Sequence, residues 1–281
     1  MGYCLMSINR KTSLRRASFA GFIFAGLFCL LGVMPCALAQ EAVGTNFYFV
    51  QITDTHFGDY DHEERTQKAV RAINALPLKI ECVVHTGDIT SELLENTSVV
   101  TNGIELLKGL NVPIHYVPGN HDILINKYDE TMPVYTNYYG KLISQQEYHG
   151  VIFLFVYTEP LAKDFMVPEY NPLQELEQRL KQSAGKPVIV FHHSPSVDDF
   201  YNNIMHQGWK QDIREQWAAL LNQYNVKAVM AGHFHRDELH WLGDVPLYVS
   251  SSIASYWGRQ ASYRIYEYKD GKIGYRTQYI R

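Results

Sequence analysis

Residues 112–122 read Val112-Pro113-Ile114-His115-Tyr116-Val117-Pro118-Gly119-Asn120-His121-Asp122, a β-like run that closes on a dense polar cluster. Four other stretches are built the same way. Phe47–Thr53 closes on Asp54-Thr55-His56 and Ile80–Thr86 on Gly87-Asp88. Val188–Phe191 closes on His192-His193, and Val226–Ala231 on Gly232-His233-Phe234-His235. Side chains at the ends of parallel strands converge on one crevice at the carboxyl edge of a sheet. Asp, His and Asn gathered there have the composition of a two-metal hydrolytic site.

Helix-like segments lie between these runs. Glu63–Leu76 places Ala69, Ala72, Ile73 and Leu76 on one face. Ser91–Leu110 reads as a second helix, interrupted near Gly103. Leu173–Ser183 follows Pro172, a residue suited to a first helical turn, and Trp209–Tyr224 carries an apolar stripe of Ile213, Trp217, Leu220 and Leu221. Further strands are expected at Val151–Tyr157, Val245–Ser250, Tyr263–Tyr268 and Ile273–Tyr279; the last two flank Asp270-Gly271, a hairpin signal. About ten strands are too many for one small sheet, so the reading is α/β with two packed sheets and helices outside. Two stretches, Ile123–Tyr148 and Ser194–Gly208, lack a clear period. Each directly follows a polar cluster, so the tyrosines of the first and Phe200, Tyr201 and His206 of the second are candidates to wall a pocket.

The N-terminus has another character. Arg10, Lys11, Arg15 and Arg16 precede a short apolar stretch, Phe19–Leu31, and Ala37-Leu38-Ala39 has the small residues of a cleavage site. Residues 1–39 are therefore expected to be a signal peptide. The mature chain would start at Gln40, exported to a periplasmic or extracellular space with no stable membrane association; an uncleaved anchor is the alternative. The remaining 242 residues suit one domain, 40–281. The whole chain has 25 Lys/Arg and 29 Asp/Glu. Its first 39 residues hold four of the former and none of the latter, so cleavage moves the net charge from −4 to −8. An acidic surface disfavours a nucleic-acid polymer as partner but not a small phosphorylated substrate drawn in by metals. Cys4, Cys29 and Cys36 precede the expected cut; Cys82 alone remains, inside an apolar strand, which rules out an intrachain disulfide in the mature chain.

Each cluster offers specific chemistry. In Asp54-Thr55-His56 alternate residues of an extended strand end can point the same way, so a carboxylate and an imidazole can grip one cation. Asp88 follows 34 residues on, about one βα unit, and a carboxylate can bridge two cations; capping a helix is its structural alternative. Asn120 provides a neutral oxygen ligand. His121 beside it can hydrogen-bond substrate and protonate a leaving oxygen, with Asp122 a candidate to orient it. His233 and His235 can address neighbouring metals. One of His192 and His193 is a ligand candidate and the other a neighbour of the site. His85 and His115 read as core groups, and His62, His149, His206 and His240 as surface residues.

Taken in order, D-x-H, G-D, G-N-H-D, H-H-x-P and G-H-x-H, the clusters resemble the calcineurin-like metallophosphoesterase superfamily from Phe47 to about Ser252. The resemblance implies a four-layer α/β/β/α sandwich of two mixed sheets, with a dinuclear site at the strand ends. It implies that Asp54, His56 and His235 hold one metal and that Asn120, His192 and His233 hold the other. Asp88 would bridge them and His121 would be the catalytic histidine. His192 is chosen over His193 because His-His-Ser-Pro aligns without a gap with the family's His-His-Pro-Pro. Oxygen and nitrogen ligands without a thiolate suit Mn, Fe or Zn. The implied activity is hydrolysis of small phosphodiesters or phosphomonoesters by in-line attack of a metal-activated water, with a slight lean to diesters. The competing reading is a non-catalytic phosphate- or metal-binding protein on the same scaffold.

Overall fold

The computed structural model describes residues 45–198 and 208–280. The expected signal segment, and Phe200, Tyr201 and His206, lie outside the described residues. Period-two patterning builds the first sheet. In β1 (Asn46–Ile52), Phe47 and Phe49 face one side, while Val50 and Ile52 face the other. β2 (Ile80–His85) and β3 (Ile114–Tyr116) lie parallel to it, and the hairpin of β10 (Ser262–Lys269) and β11 (Lys272–Tyr279) runs antiparallel on its other side. The order is β11-β10-β1-β2-β3. At the hairpin tip Asp270 and Gly271 both have positive φ, as the two-residue turn requires.

The second sheet comprises β4 (Ile143–Tyr148), β5 (Val151–Val156), β6 (Val188–Phe191), β7 (Val226–Ala231), β8 (Glu238–Leu242) and β9 (Val245–Val249), in the order β4-β5-β6-β7-β9-β8. Its four central strands are parallel and its two edges antiparallel. In β5, Val151, Phe153 and Phe155 pack between the sheets against Phe47, Phe49 and Phe191, while Ile152, Leu154 and Val156 face the helices. Among the helices packed outside are α1 (His62–Asn74), α2 (Thr97–Leu107) and α3 (Tyr128–Tyr138) over the first sheet, and α5 (Pro172–Gln182) and α6 (Gln211–Gln223) over the second. The result is an α/β/β/α sandwich. Gln51 links its halves between the sheets, donating to Thr86 Oγ1 and to the carbonyl of Ala231 at the end of β7.

Several expectations need correction. The helix expected over Ser91–Leu110 starts later, because Asn96 caps it at the amides of Ser98 and Val99. Gly103 does not interrupt it. It lies where a Cβ would meet the Phe57 ring at 2.6 Å, so this glycine is a packing contact. Ile123–Tyr148 is not a loop but α3 followed by β4. Pro133 inside α3 obscures its helical signal, and β4 presents polar Gln145, Gln146 and Glu147 at a sheet edge. Its tyrosines do not wall the cleft: Tyr135 and Tyr139 are buried against the first sheet's helices. Cys82 is buried between the sheets, and burial pushes its thiol up to about 12, as an inert core residue requires.

Candidate metal centre

All five clusters begin within three residues of a parallel strand's end. Their loops are stitched together by backbone hydrogen bonds: Asp54 N to Gly87 O (2.9 Å), His56 N to Asp88 O (3.1 Å) and Gly232 N to His193 O (3.0 Å). Asp54, His56, Asp88, His233 and His235 all adopt positive φ, a conformation that side chains tolerate at a cost of order 1 kcal/mol each. Such strain persists because the surrounding bonds over-determine the loops. Gly119 meets a steric demand here: a Cβ would collide with the Asp88 carboxylate and amide.

Two groups of ligand atoms result. Asp54, His56 and His235 form one triad, and Asp88, His193 and His233 the other, each with its candidate atoms within 4.8 Å of one another. Asp54 Oδ2 accepts hydrogen bonds from Thr53 Oγ1 (2.6 Å) and His233 N (3.1 Å). That fixes the carboxylate so that Oδ1 faces His235 Nε2 at 3.2 Å. Thr55 turns the other way, to His85 Nε2 at 2.9 Å, leaving Asp54 and His56 on the site side. Asp88 Oδ1 accepts from His121 N (2.9 Å), while its Oδ2 lies 3.1 Å from His193 Nε2 and 3.7 Å from His56 Nε2, between the two triads. Asn120 Oδ1 stands 3.2 Å from His193 Nε2.

The geometry reverses the choice of His192 over His193. His193 Nδ1 donates to the Thr86 carbonyl at 2.7 Å, which turns Nε2 toward Asp88 and Asn120. His192 is the preceding residue and points to the opposite face, where it is buried against Trp209 and Trp217 with ring centroids at 5.7 and 5.5 Å. Burial lowers its pKa to about 3, which keeps the imidazole neutral.

Two other roles shift. Asp122 does not touch the His121 ring. It is buried and ties two loops together, Oδ1 accepting from Ile89 N and Thr90 N and Oδ2 from Gly119 N. Burial, helped by the nearby Asp88 charge, pushes it up to about 7. The residue beside His121 is Glu92, whose Oε1 is 3.1 Å from Nδ1. His62, expected at the surface, is fully buried; Nδ1 donates to the His56 carbonyl at 3.0 Å and Nε2 accepts from Ser255 N at 3.2 Å. Asp88 is no helix cap, since α2 starts nine residues later.

The donor set suits hard or borderline cations. Asp54 Oδ1 and both ring nitrogens of His56 are buried without a hydrogen-bond partner, an arrangement that a bound cation resolves. For Asp54 and Asp88, burial favours the neutral acid but is outweighed by the facing imidazoles, so both pKa values are lowered and the carboxylates are charged. A cleft of about 240 Å³ is lined by His56, Asp88, Asn120, His233 and His235 of this donor set; His121, Lys163, Tyr256 and Trp257 also line it. Lys163 follows α4 (Glu159–Ala162), whose Glu159 is fully buried and accepts from Ser194 N at 3.3 Å. Neither Glu92, Glu159 nor Lys163 carries a motif, and their roles depend on contacts 29 or more residues away in sequence.

A family profile described as calcineurin-like phosphoesterase matches residues 47–237. The chain is 27% identical to the serine/threonine-protein phosphatase CPPED1 of Mus musculus over 76% of its own length and 77% of that protein. It is 28% identical to a probable glycerophosphodiester phosphodiesterase GpdQ of Arcobacter nitrofigilis, over 66% of this chain and 71% of that one. In fold it is similar to a dimetal phosphatase from Danio rerio, with a TM-score of 0.60 at 15% identity, covering 84% of this chain and 99% of that one.

Proposed function

The chain belongs to the calcineurin-like phosphoesterase family, and on that premise we propose that it hydrolyses small phosphate esters, diesters or monoesters, at a dinuclear metal centre. The observation that carries this reading is the pair of buried triads meeting at Asp88 Oδ2 and opening onto one cleft. In this reading Asp54, His56 and His235 hold one cation and Asn120, His193 and His233 the other, with Asp88 shared. The cations would be Mn, Fe or Zn. When bound, such a pair lowers the pKa of water and clamps the attacking and leaving oxygens of an in-line displacement.

The chain's own residues supply the rest. Thr53, His233 N, Thr86 O and Gly119 fix the ligand orientations, so little reorganisation is needed during reaction. Glu92 holds His121 by Nδ1, and the ring lines the cleft, where Nε2–H can donate to a phosphoryl or leaving-group oxygen. Lys163 adds a positive charge to the cleft wall that attracts an anionic ester.

The relatives' names cover both ester types, a protein phosphatase and a probable diesterase, and support either. The test is to purify the mature protein, measure bound metal, and assay a phosphomonoester and a phosphodiester side by side. Two metals per chain with turnover of at least one ester is expected. Two bound metals with no turnover of either would leave a phosphate- or metal-binding protein. Export rests on the basic and apolar composition of residues 1–39 and the Ala37-Leu38-Ala39 site. N-terminal sequencing of the protein from cells should read from Gln40, and an intact leader would overturn cleavage. Among the described residues no helix is long and apolar enough to cross a membrane.

A further inference from the structure

The segment after β9 is held more firmly than its exposure alone requires. Arg65, on α1, donates to the carbonyls of Ile253 (3.1 Å) and Arg259 (3.2 Å). His62 receives Ser255 N, and Tyr256 Oη donates to Asp59 Oδ2 at 2.5 Å. Arg259 Nη1 donates to the carbonyl of His235 at 2.5 Å. These bonds fix both ends of a short turn whose central residue is Trp257.

Trp257 has φ 56° and ψ 26°, a left-handed conformation that is a true outlier for a bulky side chain. It shares this conformation with five of the site's aspartates and histidines. Core packing does not explain it, because the residue is 55% exposed. Its ring stands edge-on to His235 at 5.1 Å, and the Arg259 guanidinium lies 5.6 Å from its centroid. The turn therefore spends strain to hold an indole on the wall of the cleft that contains His235 and Lys163.

We propose that Trp257 is a specificity-determining residue, a preset aromatic wall that selects phosphate esters carrying a flat apolar group next to the phosphoryl, with Lys163 attracting the phosphoryl charge. This rests on the phosphoesterase reading and names its substrate class. Stacking of a flat ring on such a side chain strengthens binding roughly tenfold when about 1.4 kcal/mol is realised.

The test compares benzyl phosphate with butyl phosphate, two primary-alcohol esters whose leaving groups differ little in acidity but differ in shape. The metal-loaded protein and its Trp257→Ala, Trp257→Phe and Lys163→Met variants are assayed, and binding of benzylphosphonate and butylphosphonate is measured by calorimetry. Wild type should prefer the benzyl compounds about tenfold in KM and in Kd. Trp257→Ala should abolish the preference by weakening the benzyl compounds about tenfold, and Trp257→Phe should restore most of it. Lys163→Met should weaken both ligands alike and leave the preference intact. Equal affinity of wild type for the two phosphonates, or an unchanged preference in Trp257→Ala, would overturn the proposal. Failure of the phosphoesterase reading shows separately, as phosphonate binding without turnover of either ester.

Discussion

The Asp54 triad and the Asp88 triad lie side by side, yet a histidine of one, His56, and a histidine of the other, His193, are held in different states. In the first, His56 has neither ring nitrogen engaged and burial lowers its pKa to about 4, so the imidazole is neutral and open to a cation. In the second, His193 is bound at both ends, by Thr86 O and by Asp88 Oδ2. Burial there disfavours the imidazolium, but the Asp88 charge outweighs it and holds His193 protonated well above the ordinary imidazole range. His56 is free of its proton in advance, whereas on His193 a proton occupies a ligand position. Equal residue types thus do not make equal ligands: the nearest carboxylate oxygen lies 3.7 Å from His56 Nε2 but 3.1 Å from His193 Nε2, and the Nδ1 of His193 is also engaged by Thr86 O.

The largest expected effect comes from removing what the two halves share. Asp88→Ala should lower metal content at both sites and cut kcat/KM by about 10⁴-fold, since the parts of a catalytic unit fail together. Full retention of two metals by elemental analysis would refute a shared role. Next comes the histidine pair. His193→Ala should lose metal from one triad and about 10³-fold in activity. His192→Ala should keep two metals and instead lower Tm, because it leaves a cavity beside Trp209 and Trp217 worth about 2–4 kcal/mol. The reverse pattern would restore His192 as the ligand.

His121→Ala should leave metal stoichiometry unchanged and reduce kcat by about 10²-fold, as expected for loss of one proton donor. The smallest effect concerns protons released on metal loading. A cation entering the Asp88 triad must displace the His193 proton, so affinity there should rise by about tenfold per pH unit through neutral pH. At the Asp54 triad His56 has already lost its proton above pH about 4, so it adds no such slope. Calorimetry in buffers of different ionisation enthalpy measures both, and identical proton release at the two sites would erase the distinction.

The strand-end clusters were legible because each is local: an apolar alternation, then polar residues within three positions. The hairpin at Asp270-Gly271 and the capped α5 were legible for the same reason. α3, β4 and β8 were not, because a proline, scattered tyrosines and polar sheet edges break the periods that identify such elements. His62, Glu92, Glu159 and Lys163 were invisible as site residues for another reason: each acquires its role from a partner or cleft assembled by other segments.

By itself, the sequence pointed to the family, the reaction chemistry on offer and seven ligand candidates, since those depend on residue type and on order along the chain. Only the tertiary structure gathered five of them into two triads and set His193 rather than His192 beside them. His192 and His193 are equivalent in composition, but successive side chains at a strand end point to opposite faces. One meets two tryptophans and the other the Asp88 carboxylate. The same holds for the triads. Each draws residues from both sheets, Asp54 and His56 with His235, and Asp88 with His193 and His233. Neither triad exists until the sheets pack on Phe49, Phe153 and Phe191 and are tied by Gln51 to Ala231.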